Sequence, residues 1–219
     1  AGDQLQMWQH EPAGSDAGYS LAVGDDIDRD GIHEVIVGAP FSIDWDRGEV
    51  LIVSLEQAEP LLVIESESSL TRFGWSVGRL PDVDSDGVFD LLVGDPFSIG
   101  DDGAVFAISS SDGDVIWTHR APLGSEQHLG FSVGAYEDFD RDGLDDVLVG
   151  ASASNWDGAA KIVSSRNGDV LWSMTRGYPT DFQFGRYVAA LPDRDGDGLS
   201  DLAITTFNGI FGPPAVRIV

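Results

Sequence analysis

Residues 73–96 read "FGWSVGRLPDVDSDGVFDLLVGDP". At its centre Asp82, Asp84, Asp86 and Asp90 place four carboxylates in nine residues, with no basic residue among them. Two unit charges about 4 Å apart repel by roughly 4 kcal/mol at an effective dielectric of about 20, so a compact loop here calls for a counter-charge. The acids alternate, Gly87 supplies a sharp turn, and Asp90 returns a fourth carboxylate from the far side. That is the oxygen-rich D-x-D-x-D-G pattern of a calcium loop, which also uses a backbone carbonyl just past the glycine. One copy alone is equally well read as an acidic, solvated turn.

The pattern occurs four times: "DIDRDGIHE" from Asp26, "DVDSDGVFD" from Asp82, "DFDRDGLDD" from Asp138 and "DRDGDGLSD" from Asp193. Successive starts are 56, 56 and 55 residues apart, which marks an array of supersecondary units and favours calcium over the acidic turn. An EF-hand or dockerin-type loop carries an acid at position twelve, where this chain has Val37, Val93, Val149 and Ile204. Those two readings fail.

Each loop sits between two apolar runs. Before it stand "YSLAVGD", "WSVGRLP", "FSVGAYE" and "RYVAALP"; after it stand "HEVIVGAP", "FDLLVGDP", "DDVLVGAS" and "SDLAITTF". The second set, rich in Val, Ile and Leu, suits strands covered on both faces. A third strand follows in "GEVLIVS", "GAVFAIS", "GAAKIVS" and "PPAVRIV", and a fourth in "PLLVIES", "DVIWTHR" and "DVLWSMT". Four antiparallel strands per repeat around an axis make the blade of a β-propeller, so the expected fold class is all-β. The expected repeats run over about 15–66, 67–122, 123–177 and 178–219 of one domain. The fourth lacks its outer strand, and "GDQLQMWQH" at residues 2–10 matches "GDVIWTHR" and "GDVLWSMTR", so the N-terminal strand is expected to complete it. Four blades closed in a ring, or one arc of a longer propeller, both fit this pattern.

The units resemble FG-GAP repeats, the blades of the integrin α-subunit propeller and of related bacterial surface proteins. The matching residues are "FGWSVG" with "LLVGDP", "LGFSVG" with "VLVGAS", "FGRYVA" from Phe184, and "GYSLAVGD" with "VIVGAP". The chain departs from the pattern at "AGYS", "LGFS" and "AITTF", and at Glu34, which stands where the other loops have Asp. The resemblance implies one structural calcium per repeat, about four in all, in the hairpin between the first two strands. Carried over residue by residue, the side-chain ligands are Asp26, Asp28, Asp30 and Glu34; Asp82, Asp84, Asp86 and Asp90; Asp138, Asp140, Asp142 and Asp146; and Asp193, Asp195, Asp197 and Asp201. Ile32, Val88, Leu144 and Leu199 are the implied carbonyl donors.

The chain has 12 Lys and Arg against 38 Asp and Glu, a formal charge of −26, and 16 of those acids lie in the four loops. Four calcium ions would still leave a strongly acidic surface. This argues against nucleic acid and anionic membranes as partners, and for basic or cation-bridged ligands. Cysteine is absent, so calcium takes the place of a disulfide framework. Calcium sites of extracellular modules have dissociation constants near 10⁻⁴ to 10⁻³ M, too weak to fill in a low-calcium cytosol, so an extracellular, cell-surface or periplasmic location is expected. No signal peptide or membrane span is visible, and the chain opens on Ala1, which suggests a mature or excised domain of a larger protein.

His10, His33, His119 and His128 fall at unrelated repeat positions, and no nucleophile triad, paired acid outside the loops or phosphate loop stands out. The expectation is a non-enzymatic recognition module. A carbohydrate-processing propeller and a passive spacer are the alternatives. Trp8, Trp117 and Trp172 recur at one strand position and are read as packing. The connections opposite the calcium hairpins vary and carry Trp45, Trp156, Tyr178 and Phe182, which can either cover blade edges or stack on a glycan or anchor a protein ligand. The resemblance points to that face as the ligand surface. Self-association, or further blades of a parent chain, would complete a larger propeller.

Overall fold

The computed structural model describes residues 16–41, 47–57, 59–68, 71–125, 127–152, 158–175, 183–206 and 215–219. Their strands form four separate antiparallel sheets, each a simple meander. Blade 1 comprises β1 (Ser20–Val23), β2 (Val35–Ala39), β3 (Glu49–Val53) and β4 (Leu62–Glu65). Blade 2 comprises β5 (Ser76–Leu80), β6 (Asp90–Asp95), β7 (Ala104–Ser109) and β8 (Val115–Arg120). Blade 3 comprises β9 (Leu129–Ala135), β10 (Val147–Ala151), β11 (Ala159–Val163) and β12 (Val170–Thr175). Three strands of blade 4 are described: β13 (Val188–Leu191), β14 (Asp201–Thr206) and β15 (Ala215–Ile218). One helical turn, α1 (Ser98–Asp101), interrupts the β6–β7 connection. The expected strand over residues 2–10 lies outside the described residues.

The inner strands follow one another, β1 against β5, β5 against β9 and β9 against β13, as the blades of a β-propeller do. Burial follows position in the blade. The second strands, β6 and β10, are buried at every residue because a neighbouring blade covers each face. That is why their sequence runs as an unbroken apolar series instead of alternating. The core is correspondingly interblade: Ile36, Val50 and Ile52 of blade 1 pack with Phe73, Val77, Leu91 and Val93 of blade 2. Leu148, Ala160 and Ile162 of blade 3 pack with Phe184, Leu202 and Ile204 of blade 4. Trp117 is 9 % exposed, and its indole N–H donates to Ser165 O of the next blade at 2.6 Å. Trp172 packs in the cluster between blades 3 and 4, so both tryptophans pack as expected, and Trp8 lies outside the described residues.

Asp95 ends β6 and is 1 % exposed; its carboxylate accepts the Arg72 N–H at 2.8 Å. Desolvation raises its pKa to about 6, against the backbone donors of Arg72 and Phe97 and the charges of Arg120 and Arg72. A carboxyl whose folded pKa exceeds its unfolded value binds its proton more tightly in the folded state. Its contribution to stability is therefore complete below about pH 4 and lost as pH rises through 6, a total of about 3 kcal/mol at about 1.36 kcal/mol per unit. Asp95→Asn is expected to stabilise the protein at pH 7 by about 1 to 3 kcal/mol and to remove this component between pH 4 and 6. A variant whose Tm parallels the wild type across that interval contradicts the prediction.

Candidate metal centres

The four acidic loops join the first two strands of each blade and fold alike. In each, the first acid accepts the N–H of the glycine at position six: Gly31 to Asp26 (2.9 Å), Gly87 to Asp82, Gly143 to Asp138 and Gly198 to Asp193 (3.0 Å each). The third-position acid accepts the N–H of the fifth, at 3.1 Å in all four: Asp30 to Asp28, Asp86 to Asp84, Asp142 to Asp140 and Asp197 to Asp195. The fifth-position acid accepts the N–H of Ile32, Val88, Leu144 or Leu199, at 2.7 to 2.9 Å. The ninth-position acid reaches back to the N–H of the second residue: Ile27 to Glu34 (2.6 Å), Val83 to Asp90 (2.7 Å), Phe139 to Asp146 and Arg194 to Asp201 (2.9 Å each).

Position four is left-handed in every loop, with φ of 62° at Arg29, 67° at Ser85 and 63° at Arg141; the fourth loop places Gly196 there with φ of 85°. Non-glycine residues adopt this conformation only where the surroundings enforce it, and here four side-chain-to-backbone bonds do so. All sixteen predicted carboxylates thus serve the loop backbone, and Asp82, Asp138 and Asp193 do so through both oxygens.

Oxygens converge in all four loops. Atoms of Asp26, Asp28, Asp30 and Glu34 lie within 4.8 Å of one another, as do those of Asp82, Asp84 and Asp86, of Asp138, Asp140 and Asp146, and of Asp193, Asp195 and Asp197. Asp90, Asp142 and Asp201, predicted with them, are outside these closest sets. Asp142 instead pairs with the Arg166 guanidinium, which holds its carboxyl below the usual range together with the Leu144 N–H. Asp90 lies beneath its cluster, fully buried, and burial pushes its pKa to about 6, with a smaller contribution from the charges of Asp84 and Asp86. Glu34 and Asp146, each 1 % exposed, are raised for the same main reason.

The donor set fits a hard divalent cation. Asp90 Oδ1, Glu34 Oε1 and Asp26 Oδ1 are buried and have no hydrogen-bond partner. A buried carboxylate oxygen in that position is costly unless a cation or a proton sits on it. Carboxylate oxygens at alternate positions, with no nitrogen or sulfur among them, suit calcium.

At the other end of the blades, sequence reasoning missed a feature. Tyr19 and Trp75, directly before β1 and β5, Phe131 within β9 and Arg186 two residues before β13 line one pocket of about 330 Å³. Ring centroids of Tyr19 and Trp75 are 4.7 Å apart, those of Trp75 and Phe131 5.1 Å, and the Arg186 guanidinium lies 5.1 Å from the Phe131 ring. Their spacing of 56, 56 and 55 residues was the available signal. Trp45, Trp156, Tyr178 and Phe182 lie outside the described residues. His33 Nδ1 pairs with Gly24 O at 2.8 Å and His128 Nδ1 with Ser152 O at 2.9 Å, while His119 is half-buried. His10 also lies outside the described residues.

Fold and loops together define a propeller built of FG-GAP repeats. The family model for the FG-GAP repeat matches residues 17–53 and 129–163. Among curated relatives, integrin alpha pat-2 of Caenorhabditis briggsae is 29 % identical over 216 residues, covering 85 % of this chain and 17 % of the relative. Integrin alpha-10 of Homo sapiens is 34 % identical over 176 residues, covering 74 % of this chain and 14 % of the relative. Integrin alpha-6 of Homo sapiens is 30 % identical over 154 residues, covering 66 % and 13 %. The chain therefore spans less than a fifth of the length of these relatives. Among solved structures, rhamnogalacturonan lyase YesW matches with a TM-score of 0.53 at 14 % identity, covering 89 % of this chain and 41 % of that one. A likeness at that identity concerns the fold alone.

Proposed function

We propose that this chain is a calcium-loaded, extracellular recognition module that binds a protein or glycan ligand on the face opposite the calcium loops. The observation that carries the calcium reading is the fourfold repetition of one loop geometry with converging carboxylates, which in the first two loops includes buried, unpartnered oxygens. Asp26, Asp28, Asp30 and Glu34, and their counterparts in the other three loops, would hold the ion. Ile32, Val88, Leu144 and Leu199 stand where a carbonyl ligand is required. The ion would neutralise each acidic cluster and stiffen a hairpin. Its part would be structural, as the resemblance to the integrin α repeats implies.

Recognition is assigned to the opposite face for two reasons. The similarity to integrin alpha subunits favours a module that adheres to or recognises a partner. The pocket formed by Tyr19, Trp75, Phe131 and Arg186 offers aromatic faces and one cation to such a ligand. Among the described residues no helix is long and apolar enough to cross a membrane.

Isothermal titration with calcium is the test. The expected stoichiometry is about four ions per chain, falling by about one in Asp82→Ala. Absence of binding at millimolar calcium, or a stoichiometry unaffected by Asp82→Ala, would overturn the assignment.

A further inference from the structure

Adjacent blades meet at one repeated joint. In the first three blades a serine of the inner strand lies directly opposite a glycine of the second strand: Ser20 and Gly38, Ser76 and Gly94, Ser132 and Gly150. Each pair forms a slot for a carbonyl from the next blade, given by a left-handed glycine: Gly74 (φ 84°), Gly130 (φ 87°) and Gly185 (φ 81°). A Cβ on Gly38, Gly94 or Gly150 would lie 2.1, 2.2 or 2.1 Å from the respective carbonyl oxygen. The Ser20 and Ser76 hydroxyls donate to the Gly74 and Gly130 carbonyls at 2.9 and 2.8 Å, and Ser132 Oγ accepts the Val188 N–H at 3.1 Å. The inserted glycine is held equally closely, since a Cβ on Gly74, Gly130 or Gly185 would meet the carbonyl oxygen of Glu49, Ala104 or Ala159 at 2.5, 2.5 or 2.0 Å.

The two ends of the array break this rule in opposite ways. In blade 4 the paired positions are Tyr187 and Thr205. Thr205 Oγ1 accepts the Tyr187 N–H at 2.9 Å and donates to the Tyr187 carbonyl at 3.3 Å, so a side chain fills the space of the slot. In blade 1, Gly18 holds the inserting conformation, with φ of 93°, yet is exposed, with no atom within 4 Å of its Cβ position. Beside it, on the face of β1 turned away from blade 2, Leu21 and Val23 are 63 % and 65 % exposed.

We infer that Gly18, Leu21 and Val23 form a docking surface for a further blade that carries the Ser–Gly slot and comes from outside these 219 residues. Blade 4 does not supply it, in its own chain or in a second copy, because its slot is filled. The surface continues an interface built three times within the chain, and this fixes the partner's chemistry: a blade of the same repeat type with glycine opposite serine.

The test uses a chain given a slot and deprived of its own inserting glycine, Gly18→Val/Tyr187→Ser/Thr205→Gly. Light scattering in millimolar calcium is expected to show wild type and variant each monomeric alone and a 1:1 complex when mixed. The complex should vanish when Gly18→Val replaces wild type in the mixture. Self-association of the wild type, or no complex with a variant that keeps the wild-type circular dichroism, overturns the inference. If the triple variant loses that spectrum, Gly18→Val/Thr205→Gly, which opens the slot with one change fewer, is mixed with wild type under the same criteria.

Discussion

Chelating calcium is expected to lower the Tm by about 14 to 28 °C. At about 2 mM calcium and a dissociation constant near 10⁻⁴ M, each site stabilises the folded state by about 1.8 kcal/mol. Four sites give about 7 kcal/mol, and a chain of this size shifts by about 2 to 4 °C per kcal/mol. The structural reason lies in the loops, where carboxylates converge in four clusters and the buried oxygens of Asp90, Glu34 and Asp26 have no other partner. Asp84→Ala, which disables one cluster, should reproduce about a quarter of the shift. Differential scanning calorimetry with and without chelator decides the matter, and an unchanged melt would remove calcium from the account of stability.

The second large effect is expected at a single hydrogen atom. Gly94→Ala should destabilise the fold by about 3 kcal/mol or more, because the new methyl would lie 2.2 Å from the Gly130 carbonyl oxygen and 2.3 Å from Ser76 Oγ. Neither neighbour can withdraw: the carbonyl belongs to the next blade's backbone, and the serine donates to that same carbonyl. Gly134→Ala is the matched control on an adjacent inner strand, with no atom within 4 Å of the added Cβ. It is expected to be neutral or stabilising by about 0.4 to 1 kcal/mol, through the entropy of the unfolded chain. Equal effects of the two substitutions in urea denaturation would show that the joint does not hold the blades together.

What sequence reveals about this protein depends on how far its physical cause extends along the chain. The loop geometry was legible because its causes lie within nine residues: alternating acids, a left-handed glycine and an acid that returns to the second N–H. The β strands were legible for a similar reason, since β6 and β10 must be apolar throughout when a blade covers each face. The joint was not. Ser20, Ser76 and Ser132 repeat at 56 residues, as do Gly38, Gly94 and Gly150, but their purpose appears only when a carbonyl 36 residues beyond Gly38 is seen between them. The pairing of Asp142 with Arg166, 24 residues away, has a basic side chain competing for a predicted ligand, and no pattern in the loop announces it. The α1 turn was likewise unforeseen, within a connection whose length and composition vary from blade to blade.

Calcium in the four loops is the central claim, and the most direct test is a diffraction experiment on crystals grown in calcium, with anomalous data collected to place the ions. The expected map has one peak per loop, ringed by oxygens of the first, third, fifth and ninth residues and by the carbonyl of the seventh, at 2.3 to 2.6 Å. Loops filled only by water, with the carboxylates turned out to solvent, would contradict it.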